Sequence, residues 1–302
     1  MINIPAQLTT LQPATSSAFR RTASQVLPFS DPTLLTLCRE QLLATQQRRT
    51  VPSHADHGPI ETAVLRLAEQ FAVNVDGISE DDIAVLTRAL GKDVLNALVN
   101  AIYLMDAALR LEQVVPVVLP DADGTATPLA AGVSDSSSEV EQMEDVISTS
   151  IADFAATAVL ADEVDIITGE MVRLRCAQIH NCRLCGSLRQ RRALDEGLDE
   201  DMVERVSRYE QGGVREDVVA ALHLVDTLIM LPADANAALR VELHKHYSPT
   251  QIAELCFDVV KWSQQKALVA TQVDAAPWEG IHVLDFGEDG HPVFSGPLQQ
   301  AG

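Results

Sequence analysis

Positive charge is scarce in this 302-residue chain: 22 Lys and Arg stand against 43 Asp and Glu, a formal net charge of -21. A surface of that sign repels a phosphate backbone, so nucleic-acid binding is excluded as an expectation. No uninterrupted apolar run reaches the roughly 18 to 20 residues that span a bilayer, so no membrane partner is expected. The first 30 residues carry Pro5, Pro13, Arg20 and Arg21 without a continuous apolar core, unlike a secretory signal. Cysteine is sparse too, and the five residues (38, 176, 182, 185 and 256) are an odd number, which argues against a secreted disulfide framework. A reducing, cytoplasmic setting follows as the expectation. A Gly-rich phosphate loop, a nucleophile elbow and a paired-carboxylate motif are all missing, leaving nucleotide-dependent chemistry without support.

What the chain does have is helical periodicity. Apolar residues recur at three- and four-residue spacing over 60–72, 82–90, 93–115, 148–160, 170–179, 218–231 and 251–273. The class is all-α. The exception is the tail, where Ile281 to Phe286 and Pro292-Val-Phe flank Gly287-Glu-Asp-Gly290 and predict a small β-hairpin, read as an appendage. The length predicts about two units of roughly 150 residues. Their expected division is an irregular segment over 1–30, a helical unit over 31–115, a linker over 116–147, a second helical unit over 148–275 and a tail over 276–302. Apolar register relates the units: Ala63 to Glu69 matches Ala220 to Asp226 at an offset of roughly 157 residues. Upstream, a gap of roughly 20 residues brings Gln41 under Gln178 and sets Thr45 and Arg48 opposite Cys182 and Cys185. The first unit therefore lacks a thiol pair.

Chemistry concentrates in Glu170 to Cys185. Asn181 reads as an N-cap that leaves Cys182 in the first turn of a new helix, where the dipole lowers thiol pKa and favours thiol–disulfide exchange. On one straight helix Glu170 and Cys182 would lie about 18 Å apart. A break near His180-Asn181 would fold them together, making Glu170 either a proton acceptor for the thiol or a solvated carboxylate at a helix start. Cys185 and Arg189, four residues apart, would share a face, and the guanidinium would favour thiolate or belong to a solvated basic stripe. Zinc would need ligands drawn from distant His180, His244 and His246, so no metal is expected. Cys38, Cys176 and Cys256 sit in apolar helical stretches and read as core residues, as do Tyr103, Phe257 and Trp262.

The pattern Glu170-x-x-x-Leu-Arg-x-Ala-Gln-x-x-x-Cys182-x-x-Cys185, followed by Arg-Arg-Ala-Leu-x-x-Gly-Leu-Asp-Glu, resembles the carboxymuconolactone decarboxylase and alkylhydroperoxidase D superfamily. The helix from Ser248, with Trp262 and Lys266, looks like the one that closes that fold. The resemblance covers roughly 150–275 and, more weakly, 30–115. It implies an all-helical fold in a homo-oligomer and a peroxide-reducing dithiol. Cys185 would attack the hydroperoxide, Cys182 would resolve it to a disulfide, and Glu170 would relay protons. No bound cofactor is implied; a lipoyl- or thioredoxin-type thiol protein would return the electrons. The chain departs from the family pattern where a relay histidine falls four residues after the second cysteine: Arg189 stands there, with His180 as a substitute from the other side. The rival expectation is an oligomeric scaffold or redox sensor with impaired turnover. A lyase activity has no convergent His and Arg set to name.

Overall fold

The computed structural model describes residues 2–50, 57–120, 127–129 and 142–298. A short strand, β1 (Ile2–Ile4), leads into α1 (Ala6–Leu11), α2 (Pro13–Val26), α3 (Pro32–Gln46), α4 (Pro59–Val73), α5 (Glu80–Leu90) and the long α6 (Lys92–Val118). β2 (Thr127–Leu129) pairs antiparallel with β1. The second half runs α7 (Met143–Val159), α8 (Ile166–Ile179), α9 (Arg183–Gly186), β3 (Leu188–Gln190), α10 (Arg191–Asp195), α11 (Glu200–Val206), α12 (Glu216–Met230), α13 (Ala237–His246), α14 (Pro249–Trp262) and α15 (Gln265–Ala270). The hairpin β4 (His282–Phe286) and β5 (Pro292–Pro297) closes the order. The fold is all-helical with a small C-terminal sheet, as the periodicity predicts.

Local chemistry sets where these helices begin. Proline, whose fixed φ suits the first helical turn and whose missing N–H costs nothing there, opens α2, α3, α4 and α14. Asp31, Ser79, Asp165 and Asn236 accept backbone N–H bonds at the starts of α3, α5, α8 and α13. Ser248 and Gln251 exchange reciprocal bonds in a capping box. The last predicted helix, 251–273, is divided instead into α14 and α15 by a break at Ser263 and Gln264.

The first half runs α2 to α6, and the second half carries the longer series α7 to α15. The halves are tied directly, since Tyr103 Oη on α6 donates to Val260 O on α14. One continuous apolar core draws on both halves, with α6 passing through it. α6 is the single helix among the described residues long and apolar enough to cross a membrane, and 89% of its apolar window is buried in this core.

Two expectations about the ends of the chain are corrected. The stretch 1–30 is not irregular: α1 and α2 occupy most of it, and Phe19, Ala23 and Val26 are fully buried. α2 packs on α7, with Phe19 5.2 Å from Phe154 ring to ring and Thr22 Oγ1 donating to Ser150 O. Its buried face includes Thr15, Ser16, Ala18 and Thr22, so small polar residues hide the periodicity. The linker is narrower than 116–147, because α6 continues to Val118 and α7 starts at Met143. Its 121–126 and 130–141 portions lie outside the described residues. The tail is no appendage either. β4 pairs in parallel with β3, immediately after the cysteines, and joins the tail to the second half.

Candidate functional site

Between α8 and α12 the chain runs through α9, β3, α10 and α11, and this stretch carries the cysteine pair. The chain leaves α8 through Asn181, whose φ of 50° is left-handed. Asn181 is thus a helix-terminating residue rather than the N-cap expected of it, with Cys182 N–H returning to Ala177 O. The N-cap is Cys182 itself, and α9 is four residues long. Helix-dipole activation over several turns is therefore replaced by a single N–H: Cys185 N donates to Cys182 Sγ at 3.4 Å.

The two sulfurs lie 2.8 Å apart as free thiols, within reach of one shared proton. That hydrogen bond is the first cause holding the Cys182 thiol below the ordinary range, where burial opposes it and the Cys185 N–H assists. The same bond, then burial, pushes the Cys185 thiol up. The two thiols therefore titrate as one pair, the first proton leaving more readily than the second. Cys182 is 2% exposed, whereas Cys185 is only partly covered.

Glu170 is brought close to this loop, but Arg173 stands between it and the sulfurs. Fully buried, Glu170 accepts two 2.6 Å bonds from the Arg173 guanidinium and a third from Gln190 N–H. Arg173 spends its remaining donors on Cys185 O and Leu188 O, the carbonyls that bracket the turn after the pair. Its charge lowers the pKa of both thiols. The cation beside the sulfurs is thus Arg173, one turn from Glu170, and not Arg189. Arg189 lies on β3 rather than on the helix of Cys185, so the shared-face expectation fails. It forms a two-point ion pair with Glu200 and donates to Gly186 O and Leu188 O. His180 is equally diverted. It is 2% exposed, its Nε2 lies 3.4 Å from Ser263 Oγ, and burial together with Lys266 and Arg110 holds its pKa well below the usual value.

Three further residues shape the site. Asp274 accepts Arg183 N–H and both ends of the Arg183 guanidinium, and its own carbonyl accepts Leu184 N–H, so it pins the start of α9. Trp278 Nε1 donates to Ser187 Oγ, fastening the tail over the turn. Gly290, at φ 81°, lets the hairpin turn lie against α7, where a Cβ would collide with the Ala156 backbone. These contacts enclose a largely apolar cleft of about 180 Å³ into which Cys185 opens, with Leu188, Trp262, Leu284 and Phe286 among its walls. Trp262, expected in the core, is half-buried on this wall, with Lys261 Nζ 4.6 Å from its ring centroid. Tyr103 and Phe257 are core residues as expected.

Gln265, at the start of α15, also lines the cleft. It is 3% exposed, and both its amide oxygen and its amide nitrogen are buried without a hydrogen-bond partner. Such a group costs about 1–3 kcal/mol to leave unsatisfied. A smaller hollow of about 40 Å³ adjoins, lined by Glu254, Asp258 and Lys261 among others. Burial and neighbouring Asp258 raise the Glu254 carboxyl to about 7.

Sequence spacing singled out neither Arg173 nor Asp274 nor Gln265. Arg173 had a usable signal, since it is three residues from Glu170 and so on the same helix face. Nothing local marks the other two. Burial pushes the Cys38 and Cys256 thiols up to about 12 and raises Cys176 as well, consistent with core roles. Among the described residues no cluster of three or more His, Cys, Asp or Glu forms a metal site, and His244 instead meets Val118 O.

No protein-family model matches the chain, and no solved structure matches it. Two relatives are the uncharacterized proteins MT2376 and Rv2313c, from two strains of Mycobacterium tuberculosis. Each is 32% identical over 239 residues, covering 78% of this chain and 81% of the relative.

Proposed function

We propose that this chain, which belongs to the same family as those two Mycobacterium tuberculosis proteins, is a thiol peroxidase of the alkylhydroperoxidase D type that reduces organic hydroperoxides with Cys182 and Cys185. The observation that carries the reading is a pair of free thiols 2.8 Å apart whose outer member opens into an apolar cleft. Cys182, as thiolate, accepts the proton of Cys185, and the Cys185 thiolate attacks the terminal oxygen of the bound hydroperoxide. The O–O bond breaks, leaving a sulfenic acid on Cys185 and an alkoxide that takes the proton from Cys182. Cys182 thiolate then displaces hydroxide from the sulfenic acid, giving the disulfide. One hydroperoxide is reduced to an alcohol, and a second dithiol, of lipoyl or thioredoxin type, returns the two electrons. Cys182 thereby supplies the base that Glu170, committed to Arg173, does not. The reading includes a homo-oligomer in a reducing cytoplasm.

A redox sensor is the second reading, favoured by one observation: the residues corresponding to the family's proton relay are held in ion pairs, Glu170 with Arg173 and Arg189 with Glu200. Purified protein supplied with cumene hydroperoxide and dithiothreitol separates the two. Peroxidase chemistry predicts catalytic consumption that Cys185→Ser or Cys182→Ser reduces at least about 100-fold, with Cys38→Ser unchanged. Oxidation of the two thiols to one disulfide per chain, with one hydroperoxide consumed and no further turnover, supports the sensor and overturns the peroxidase.

A further inference from the structure

Gln265 is placed as no structural role explains: a buried carboxamide on the wall of an apolar cleft with neither end bonded. Interiors satisfy such groups, and this one, closed to solvent on a wall it shares with Cys185, is satisfied when its side chain turns to a ligand that supplies both an acceptor and a donor. The charged residues on the cleft wall are already neutralised, Arg173 by Glu170 and Lys261 by Asp258 at 2.6 Å, so the wall offers no net charge to an ionic head. The complementary ligand is therefore neutral, with an apolar body and one small donor–acceptor head.

We propose that Gln265 is the polar anchor of this cleft, its Oε1 accepting from and its Nε2 donating to the neutral –OOH head of an organic hydroperoxide whose terminal oxygen meets Cys185. The substrate identity rests on the peroxidase reading; the anchor does not. Because the anchor holds the neutral head before and during attack, it contributes to binding more than to the chemical step.

Gln265→Leu in the full-length chain tests this. Removing an unsatisfied buried amide keeps or raises the melting temperature, while KM for cumene hydroperoxide rises about tenfold and kcat stays within about twofold. An unchanged KM, or a clear fall in melting temperature, overturns the anchor. Binding of cumyl alcohol and of cumene, followed by the fluorescence of cleft residue Trp262, keeps the two proposals separable. Wild type binding the alcohol about tenfold tighter than the hydrocarbon, with the preference lost in Gln265→Leu, supports the anchor even if no peroxide is consumed. Equal binding by wild type overturns it even if peroxide is consumed.

Discussion

Each half of the chain buries an acid and an arginine on one helix, and the two pairs are put to different ends. In the first half Asp106 pairs with Arg110 on α6 and with Lys266 from α15, while Gln46 also donates to Asp106. Arg110 spends its other donors on Ala72 O, Leu228 O and Ile229 O, the carbonyls at the C-terminal ends of α4 and α12. In the second half Glu170 pairs with Arg173, whose other donors reach Cys185 O and Leu188 O. The device is shared: a carboxylate neutralises a buried guanidinium, which then satisfies backbone acceptors that water cannot reach. In one half those acceptors are helix ends at the core, and in the other they belong to the loop that holds two thiols. The difference teaches that the segment 183–206, rather than the ion pair, converts a packing motif into a candidate site.

The largest expected effect breaks both pairs and asks which one the thiols sense. Arg173→Met leaves Glu170 buried with only the Gln190 N–H, and should cost about 3–5 kcal/mol in chemical denaturation. It also removes the positive charge that lowers both thiol pKa values. The pH at which iodoacetamide labelling of the Cys182–Cys185 pair reaches half its maximum should therefore move up. Arg110→Met should cost a similar amount by stranding three carbonyls, but leave that labelling profile in place. A shift of the same size in both variants would mean that the halves are not separate in function.

A smaller effect sharpens the contrast between acids. Arg110 and Lys266 hold Asp106 below the usual carboxylate range despite its burial, so its contribution is present above the unfolded value and is lost only as pH falls through the lower folded one. Glu254 is the reverse. Its folded pKa of about 7 exceeds the unfolded value, so its contribution is complete below the unfolded pKa and is lost as pH rises through about 7. Glu254→Gln should therefore be near neutral at about pH 5 and stabilising by on the order of 1–2 kcal/mol at about pH 8. Asp106→Asn should destabilise at both. Denaturation curves at the two pH values check this, and a pH-independent Glu254→Gln effect would refute it.

The smallest effect concerns Arg189. Restoring the family's histidine by Arg189→His should change peroxide consumption less than about twofold, because the side chain at 189 faces Glu200 and the loop carbonyls rather than the sulfurs. A large gain in rate would show that position 189 reaches the thiol pair after all.

Helix class, the tail hairpin and the position of the thiol pair were all legible in the sequence, because each depends on short-range spacing. Where legibility failed, it failed for identifiable reasons. α2 escaped notice because Thr15, Ser16 and Thr22 sit on its buried face, and hydropathy reads them as solvent-facing. The shared face of Cys185 and Arg189 was lost because α9 stops after four residues and the chain becomes β3 under the pull of β4, almost 100 residues away. Gln265 could not be found at all, since an unpaired amide is a property of what surrounds it.

By itself the sequence determined the helices that carry a clear apolar stripe, since the bonds of a helix close over four residues and the stripe that buries it follows from 3.6 residues per turn. It likewise determined that two thiols lie three residues apart. Tertiary structure alone decided which charge stands beside them, that Glu170 is spent on Arg173, and that the tail walls the cleft. Those outcomes turn on which distant groups burial forces to satisfy one another, and that is settled only when the chain packs.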